Sequence, residues 1–446
     1  MKICVNSQTP PLKFKLGFSE LLEKYAPVDD PLDASLLEEG VDYERSPGGV
    51  TSMIYPLLRA MLEKKIISEV RWVATGVNYP PRVKFDDIII EHVEIEESVT
   101  RRYTEFKESL WLEIHGLPSK GFWVEGYTGF VEYNLRHYKQ LSKHIDLVDA
   151  FYVQDFQQLL VGQLIGPSAP AILRWHVPFK AENLNPRIRR FVLKAVEGFD
   201  GIVVSTRRDL ESLVRSGYHG KAFQVYPYVD PAEWKGVQKS ELERLKNALS
   251  IKDERVLLMV ARMDPIKAHD VAIKALSRVK QDVKLVIVGD GSFSSSAKGG
   301  LAHSKGASWR ASLEKLAKEL HVEDRVVFTG YLGKRELEAA YALSSVVLLT
   351  SKIEGFGITV LEAWVNKKPV IVSDGAGVSE LVVDGSNGYV FPSGDDKALA
   401  QKIEQALKAD TDSLGSNGYE TAKMCHLERA CERERAILAE VVGEYK

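Results

Sequence analysis

Ser351–Phe391, SKIEGFGITVLEAWVNKKPVIVSDGAGVSELVVDGSNGYVF, decides the fold class of this chain of 446 residues. The run before it, Ser345–Thr350 (SVVLLT), is a short apolar stretch of the kind a parallel strand shows when both faces are buried. Thr359–Val365 reads as the first turns of a helix. Gly355 and Gly357 therefore stand at a strand-to-helix turn. Glycine there lets backbone N–H groups approach a ligand, and a helix N-terminus favours negative charge, so the turn suits a diphosphate. Glu354 and Glu362 bracket it, and Glu362, one turn into the helix, is placed to accept hydrogen bonds from a ribose. From the glycines alone, an ordinary α/β turn with a surface glutamate fits as well.

The alternation of strand and helix extends in both directions. Val256–Ala261, Lys284–Gly289, Arg325–Thr329, Val346–Thr350 and Pro369–Ser373 read as the strands of one doubly wound α/β domain. Val70–Ala74, Ile88–Ile90, Ala150–Gln154, Ala171–His176 and Gly201–Ser205 read as those of another. Two prolines in Val225–Pro231 interrupt the pattern and mark the linker, and Asp396–Lys446 has a helical composition. Pro10–Pro47 is a polar, acidic insertion expected to be a mobile loop over a site, followed by an apolar helix over Thr51–Lys64.

Composition narrows the function. Lys and Arg total 59 against 62 Asp and Glu, a formal charge of -3, which argues against a nucleic-acid partner. Cys4, Cys425 and Cys431 have no CxxC spacing, which points to a reducing compartment, the cytoplasm, and away from zinc or a disulfide framework. MKICVNSQTP reads as a strand rather than a signal peptide, and the apolar runs fall far short of the roughly 18 residues of a membrane span. In Val260–Lys267 (VARMDPIK), Arg262 and Lys267 follow a strand. Ligands of open α/β sheets bind at strand carboxyl ends, so this pair suits a diphosphate, although two solvated surface cations would look the same. Arg187, Arg189, Arg190 and Lys194 read as a solvated helix face, with a membrane or substrate-steering patch as the less favoured alternative.

Glu354–Ala363, EGFGITVLEA, resembles the E-x7-E signature of retaining, sugar-nucleotide-dependent glycosyltransferases with two Rossmann-like domains facing across a cleft, the glycosyltransferase B fold. The resemblance implies an acceptor-binding N-terminal domain over 1–228, a nucleotide-sugar-binding domain over 229–425, and a helix over 426–446 that crosses back to the first domain. It implies that Glu354 lies near the transferred sugar and Glu362 at the ribose, with Gly355, Phe356, Gly357 and Leu361 in the same donor site. Arg262 and Lys267 are similar to the family's diphosphate-binding pair, which stabilises the departing nucleotide without a metal. Gly48-Gly49 is similar to the paired-glycine loop that reaches the same diphosphate. No cofactor or metal is expected, and the nucleotide sugar is a substrate.

A narrower likeness is to trehalose-6-phosphate synthases. Tyr152–Leu159 (YVQDFQQL) and Arg174–Phe179 (RWHVPF) resemble their paired motifs, implying that Asp155 and His176 hold sugar hydroxyls. Tyr103–Trp111 (YTEFKESLW) is similar to a segment whose Tyr and Trp bind the acceptor phosphate, and an aromatic core cluster accounts for it equally well. Lys298, Lys305 and Arg310, in and beside the insertion Gly291–Trp309, are candidate phosphate cations on a segment expected to be mobile. Asn6-Ser7-Gln8 stands where that family carries Ser-Asn-Arg, so one arginine is missing. The implied activity is glucosyl transfer from UDP-glucose or another NDP-glucose to glucose 6-phosphate, giving trehalose 6-phosphate, with a homo-oligomer as one open assembly state. Transfer to free glucose, a sugar-nucleotide 2-epimerase and a non-catalytic sugar-nucleotide sensor are the alternatives.

Overall fold

The computed structural model describes residues 1–46, 49–291 and 301–443, with the side chains of 301–304 excepted. The chain forms two compact units, Met1–Tyr226 with Ala430–Lys446, and Pro227–Arg429.

The second unit holds a six-stranded sheet in the order Val326–Gly330, Val283–Val288, Arg255–Val260, Val346–Leu349, Val370–Ser373 and Gly388–Phe391. Every adjacent pair is parallel. Numbered along the chain this is 3-2-1-4-5-6, a doubly wound order whose direction reverses between Arg255–Val260 and Val346–Leu349. The apolar runs form strands because helices cover both faces. Leu257, Leu285, Ile287, Leu348 and Ile371 are fully or almost fully buried, and Ile273, Leu399 and Ile403 pack into the same core. Gly388–Phe391 is a strand that hydropathy does not announce. A Cβ on Gly388 would lie 2.8 Å from the Val370 carbonyl oxygen, so close strand approach replaces side-chain packing there.

The first unit holds a nine-stranded sheet in the order Ala222–Gln224, Gly201–Val204, Ala171–Arg174, Ala150–Gln154, Lys2–Ser7, Glu69–Thr75, Ile88–Val93, Arg82–Phe85 and Leu32–Asp33. Its strand order reverses between Lys2–Ser7 and Ala150–Gln154, which pair in parallel. The expected loop over 10–47 is instead a folded segment. Leu12–Phe14 and Tyr43–Arg45 pair antiparallel, Phe18–Tyr25 is a helix, and Leu32–Asp33 extends the main sheet. Buried Leu12, Phe14 and Tyr43 are scattered among polar residues and prolines, which hides their pattern. The fully buried Asp42 anchors the segment by accepting hydrogen bonds from Lys24 Nζ (2.6 Å), Tyr25 Oη (2.5 Å) and the Glu38 N–H (2.9 Å).

The last helix, Leu427–Gly443, joins the first unit through a buried ion pair. Arg174 donates from Nη1 to Glu434 Oε1 (2.7 Å) and from Nη2 to the Val225 carbonyl (2.8 Å).

Candidate active site

In the second unit the site forms where the strand order reverses. Beyond Arg255–Val260 the chain passes Arg262 and enters a short turn over Pro265–Lys267, capped by Asp264 Oδ1 accepting from the Ile266 N–H (3.0 Å). Beyond Val346–Leu349 lies the loop that carries Glu354. The two loops are stitched together: the Lys352 N–H donates to the Ile266 carbonyl (2.8 Å) and Thr350 Oγ1 to the Lys267 carbonyl (2.8 Å). Lys267 Nζ donates to Glu354 Oε2, which also accepts from Ser351 Oγ at 3.0 Å. Burial alone would raise the pKa of Glu354. Lys267, the Ser351 hydroxyl and the charge of Arg262 hold it below the ordinary carboxylate value instead, so Glu354 is an anion.

Glycine is required twice in this frame. Gly357 has φ +108° as the residue before the helix Ile358–Val365, and a Cβ on Gly375 would lie 2.1 Å from the Lys352 carbonyl oxygen. Gly375 in turn accepts from the Glu354 N–H (3.2 Å), and the Phe356 carbonyl from the Val378 N–H (2.9 Å). Gly355 is half-exposed, while Phe356 and Leu361 are buried beneath the turn. Glu362 lies on the helix, and its Oε2 accepts from Tyr341 Oη at 2.6 Å. Burial raises its pKa, against the opposing effects of Tyr341 and Lys334. Sequence reasoning missed Tyr341. A tyrosine in Ala339–Leu343 (AAYAL) reads as core, and the available signal was that a buried tyrosine hydroxyl needs a polar partner.

In the first unit a second polar group gathers at the other reversal. Asp155 follows Ala150–Gln154 with φ +66°, a conformation that costs of order 1–3 kcal/mol outside glycine. Its Oδ1 accepts from the His176 N–H (3.2 Å). Burial pushes its pKa up to about 6, while backbone N–H groups of His176, Phe156 and Val177 pull the other way. Burial and the charge of Arg174 push the His176 pKa well below its ordinary value, so the ring is neutral. Its Nε2 lies 3.0 Å from Gln154 Oε1, which puts the ring proton on Nε2.

The other candidates are more dispersed. Tyr103 lies in the aromatic core, its ring 3.6 Å from that of Tyr133 at 9°, and its hydroxyl donates to Gln8 Oε1 (3.1 Å) at the end of the first strand. Trp111 stacks on His115 (4.0 Å) about two turns further along the same helix, Glu97–Ile114. Gly48 and Lys298 lie outside the described residues, and Gly49 opens the helix Gly49–Glu63. The insertion is helical from Leu301, within Leu301–Glu319, rather than a loop to Trp309. On that helix Lys305 is exposed, and Arg310 pairs with Glu314 (2.9 Å) and lies 5.3 Å from the Phe328 ring centre. Helical spacing of Leu313 and Ala317, both buried, accounts for this order. Arg187, Arg190 and Lys194 share one face of Pro186–Val196 and border a groove of about 300 Å³ with Phe122, Tyr127 and Phe191. Among the described residues no cluster of metal-ligating side chains occurs and no helix is long and apolar enough to cross a membrane.

Comparison with known proteins bears on the family and the fold. Residues 242–421 match the family of glycosyl transferases group 1. Trehalose synthase of Thermococcus litoralis is 26% identical over 406 residues, covering 86% of this chain and 86% of that protein. Among solved structures, a UDP-forming α,α-trehalose-phosphate synthase from Burkholderia xenovorans superposes with a TM-score of 0.74 at 16% identity, over 99% of both chains. An E. coli trehalose-6-phosphate structure bound with UDP-2-fluoro glucose gives 0.75 at 14% identity, again over 99% of both. Residues 242–421 thus form a group 1 glycosyl transferase domain, and the chain is a glycosyltransferase with the glycosyltransferase B fold.

Proposed function

We propose that the chain is a retaining glucosyltransferase that moves glucose from a nucleoside diphosphate donor to glucose 6-phosphate, forming trehalose 6-phosphate. The observation that carries the reading is the joining of Arg262, Lys267 and Glu354 on two stitched loops at the strand-order reversal, beside the glycine-led start of Ile358–Val365. In this reading the donor diphosphate takes over the charge of Lys267 and is held by Arg262 and the helix N-terminus. The acceptor hydroxyl attacks C1 from the face the diphosphate leaves. Its proton passes to a donor phosphate oxygen as the C1–O bond to that phosphate breaks. Asp155 and the neutral His176 bind sugar hydroxyls, both as acceptors, His176 through Nδ1 because its Nε2–H is given to Gln154. Glu362 accepts from the ribose. Cations then do the work of leaving-group stabilisation, and the chemistry calls for no resident cofactor or metal.

A second reading, free glucose as acceptor, is favoured by Gln8. This uncharged amide stands where an arginine would meet a phosphate, and its oxygen is already bound by Tyr103. Arg310 is likewise engaged by Glu314. The likeness to trehalose synthase over 86% of the chain fits either acceptor. The test is a screen of UDP-, ADP- and GDP-glucose against glucose and glucose 6-phosphate, with the product mass and anomeric configuration determined. A non-reducing α,α-linked product supports the reading, and the preferred acceptor decides between its two forms. Conversion of the donor alone to a 2-epimer, or no product with either acceptor, would sink it.

A further inference from the structure

Tyr341 sits on the helix Lys334–Leu343 with no exposed surface, and its hydroxyl reaches Glu362 on a different helix, Ile358–Val365. Packing alone would be served by phenylalanine. The ring is held independently by Trp234, whose edge meets it at 5.4 Å and 81°. Trp234 in turn carries Lys334 Nζ 3.6 Å from its ring centre. Among the described residues Tyr341 is the side-chain donor to this carboxylate, and it uses Oε2, which leaves Oε1 for a ligand.

We propose that Tyr341 is a positioning residue that fixes Glu362 by one oxygen so that the other reads the ribose diol, making the site selective for ribonucleotide over deoxyribonucleotide donors. The proposal rests on the reading of Glu362 as the ribose ligand. A single donor on Oε2 restricts rotation of the carboxylate, so a diol meets a preorganised acceptor. The same bond favours the ionised carboxylate, the form that accepts from hydroxyls. Burial opposes ionisation, as does Glu233, while Lys334 on the helix of Tyr341 assists it. Removing the phenol oxygen therefore loosens Glu362 and raises its pKa further. Ribose recognition then fails at a higher pH than in the wild type.

The experiment measures binding of UDP, 2′-deoxy-UDP and 3′-deoxy-UDP, and of the corresponding adenosine diphosphates, to the full chain and to Tyr341→Phe across pH 5 to 8. Wild type should prefer the ribose form by about tenfold, the scale of one hydrogen bond to a charged group. Tyr341→Phe should lose most of that preference, bind the deoxy forms as wild type does, and show its acid limb at higher pH. A variant that keeps the full preference and the wild-type limb overturns the positioning role. Absence of any preference in the wild type itself overturns the ribose assignment of Glu362, and with it the inference. If Tyr341→Phe does not fold, Glu362→Gln serves: it should lose the ribose preference and the acid limb together, and retention of both overturns the proposal.

Discussion

Lys267 and Glu354, 87 positions apart in the sequence, form an ion pair whose side chains are only 14% and 21% exposed. In the proposed reading this cation is already positioned for the donor diphosphate. Lys267→Ala and Arg262→Ala should each lower kcat by about 10²- to 10³-fold, the usual loss for one preorganised electrostatic partner. Lys267→Ala combined with Glu354→Ala should cost less than the two single losses added together, because removing the lysine alone leaves a carboxylate without its partner. Steady-state kinetics of the wild type, the three single variants and the double variant checks this, and activity should persist in chelator. Full additivity, or a strict Mg²⁺ requirement, would contradict the role.

The raised pKa of Asp155 sets a pH dependence. An acid whose folded-state pKa lies above its unfolded value binds its proton more tightly when folded. Its contribution to stability is therefore present below the unfolded pKa, about 3.9, and is lost as pH rises toward about 6. Activity should run the opposite way, because only the carboxylate accepts from two sugar hydroxyls. The profile of kcat/KM should carry an acid limb near 6, and Asp155→Asn should abolish that limb while lowering turnover. An unchanged limb in Asp155→Asn would assign it to another group.

How far these residues could be read from the chain alone varies with what holds them. The strands around Val256, Ile287 and Val347 were legible because their apolar runs answer to burial on both faces of a parallel sheet. The meeting of Lys267 and Glu354 was legible for a related reason, since both follow strands that lie side by side in the sheet, with Arg262 on the first of the two loops. Asp42 was not. Its neighbourhood reads as a polar loop because the buried carboxylate that organises it is an acid among acids, and its partners are set only by folding. Tyr341 and Glu362 lie on separate helices, and helical periodicity says which face a residue occupies without saying which partner it meets. The order of Leu301–Glu319 was hidden by the glycine- and serine-rich stretch before it.

Glu434 and Arg174, at 3% and 2% side-chain exposure, fasten the last helix to the first unit. Deleting one partner of a buried pair leaves the other charge uncompensated, a loss of about 3–5 kcal/mol. Glu434→Ala should therefore lower the urea midpoint strongly and open the chain to protease near Ala430. Arg174→Met with Glu434→Leu, which removes both charges, should recover much of the stability. A midpoint unchanged in Glu434→Ala would mean the helix is held by Ile437, Leu438 and Val441 without the pair.

Gln8 offers a direct reading of the acceptor. It directly follows the first strand, beside the strand-order reversal that also carries Asp155, and its amide oxygen is held by the Tyr103 hydroxyl. That leaves its amide N–H groups as neutral donors, which suit a sugar hydroxyl better than a dianionic phosphate. Replacing it by arginine adds a fixed cation at the same position. Gln8→Arg should shift the ratio of kcat/KM for glucose 6-phosphate over glucose upward by at least about tenfold, since a charge-assisted hydrogen bond contributes about 1.5–3 kcal/mol. Tyr103→Phe, by releasing the amide, should raise the acceptor KM and leave the donor KM unchanged. Competition between the two sugars, with both products measured in one reaction, gives the ratio directly. If neither substitution alters the ratio or the acceptor KM, Gln8 does not face the acceptor, and phosphate discrimination must come from elsewhere in the chain.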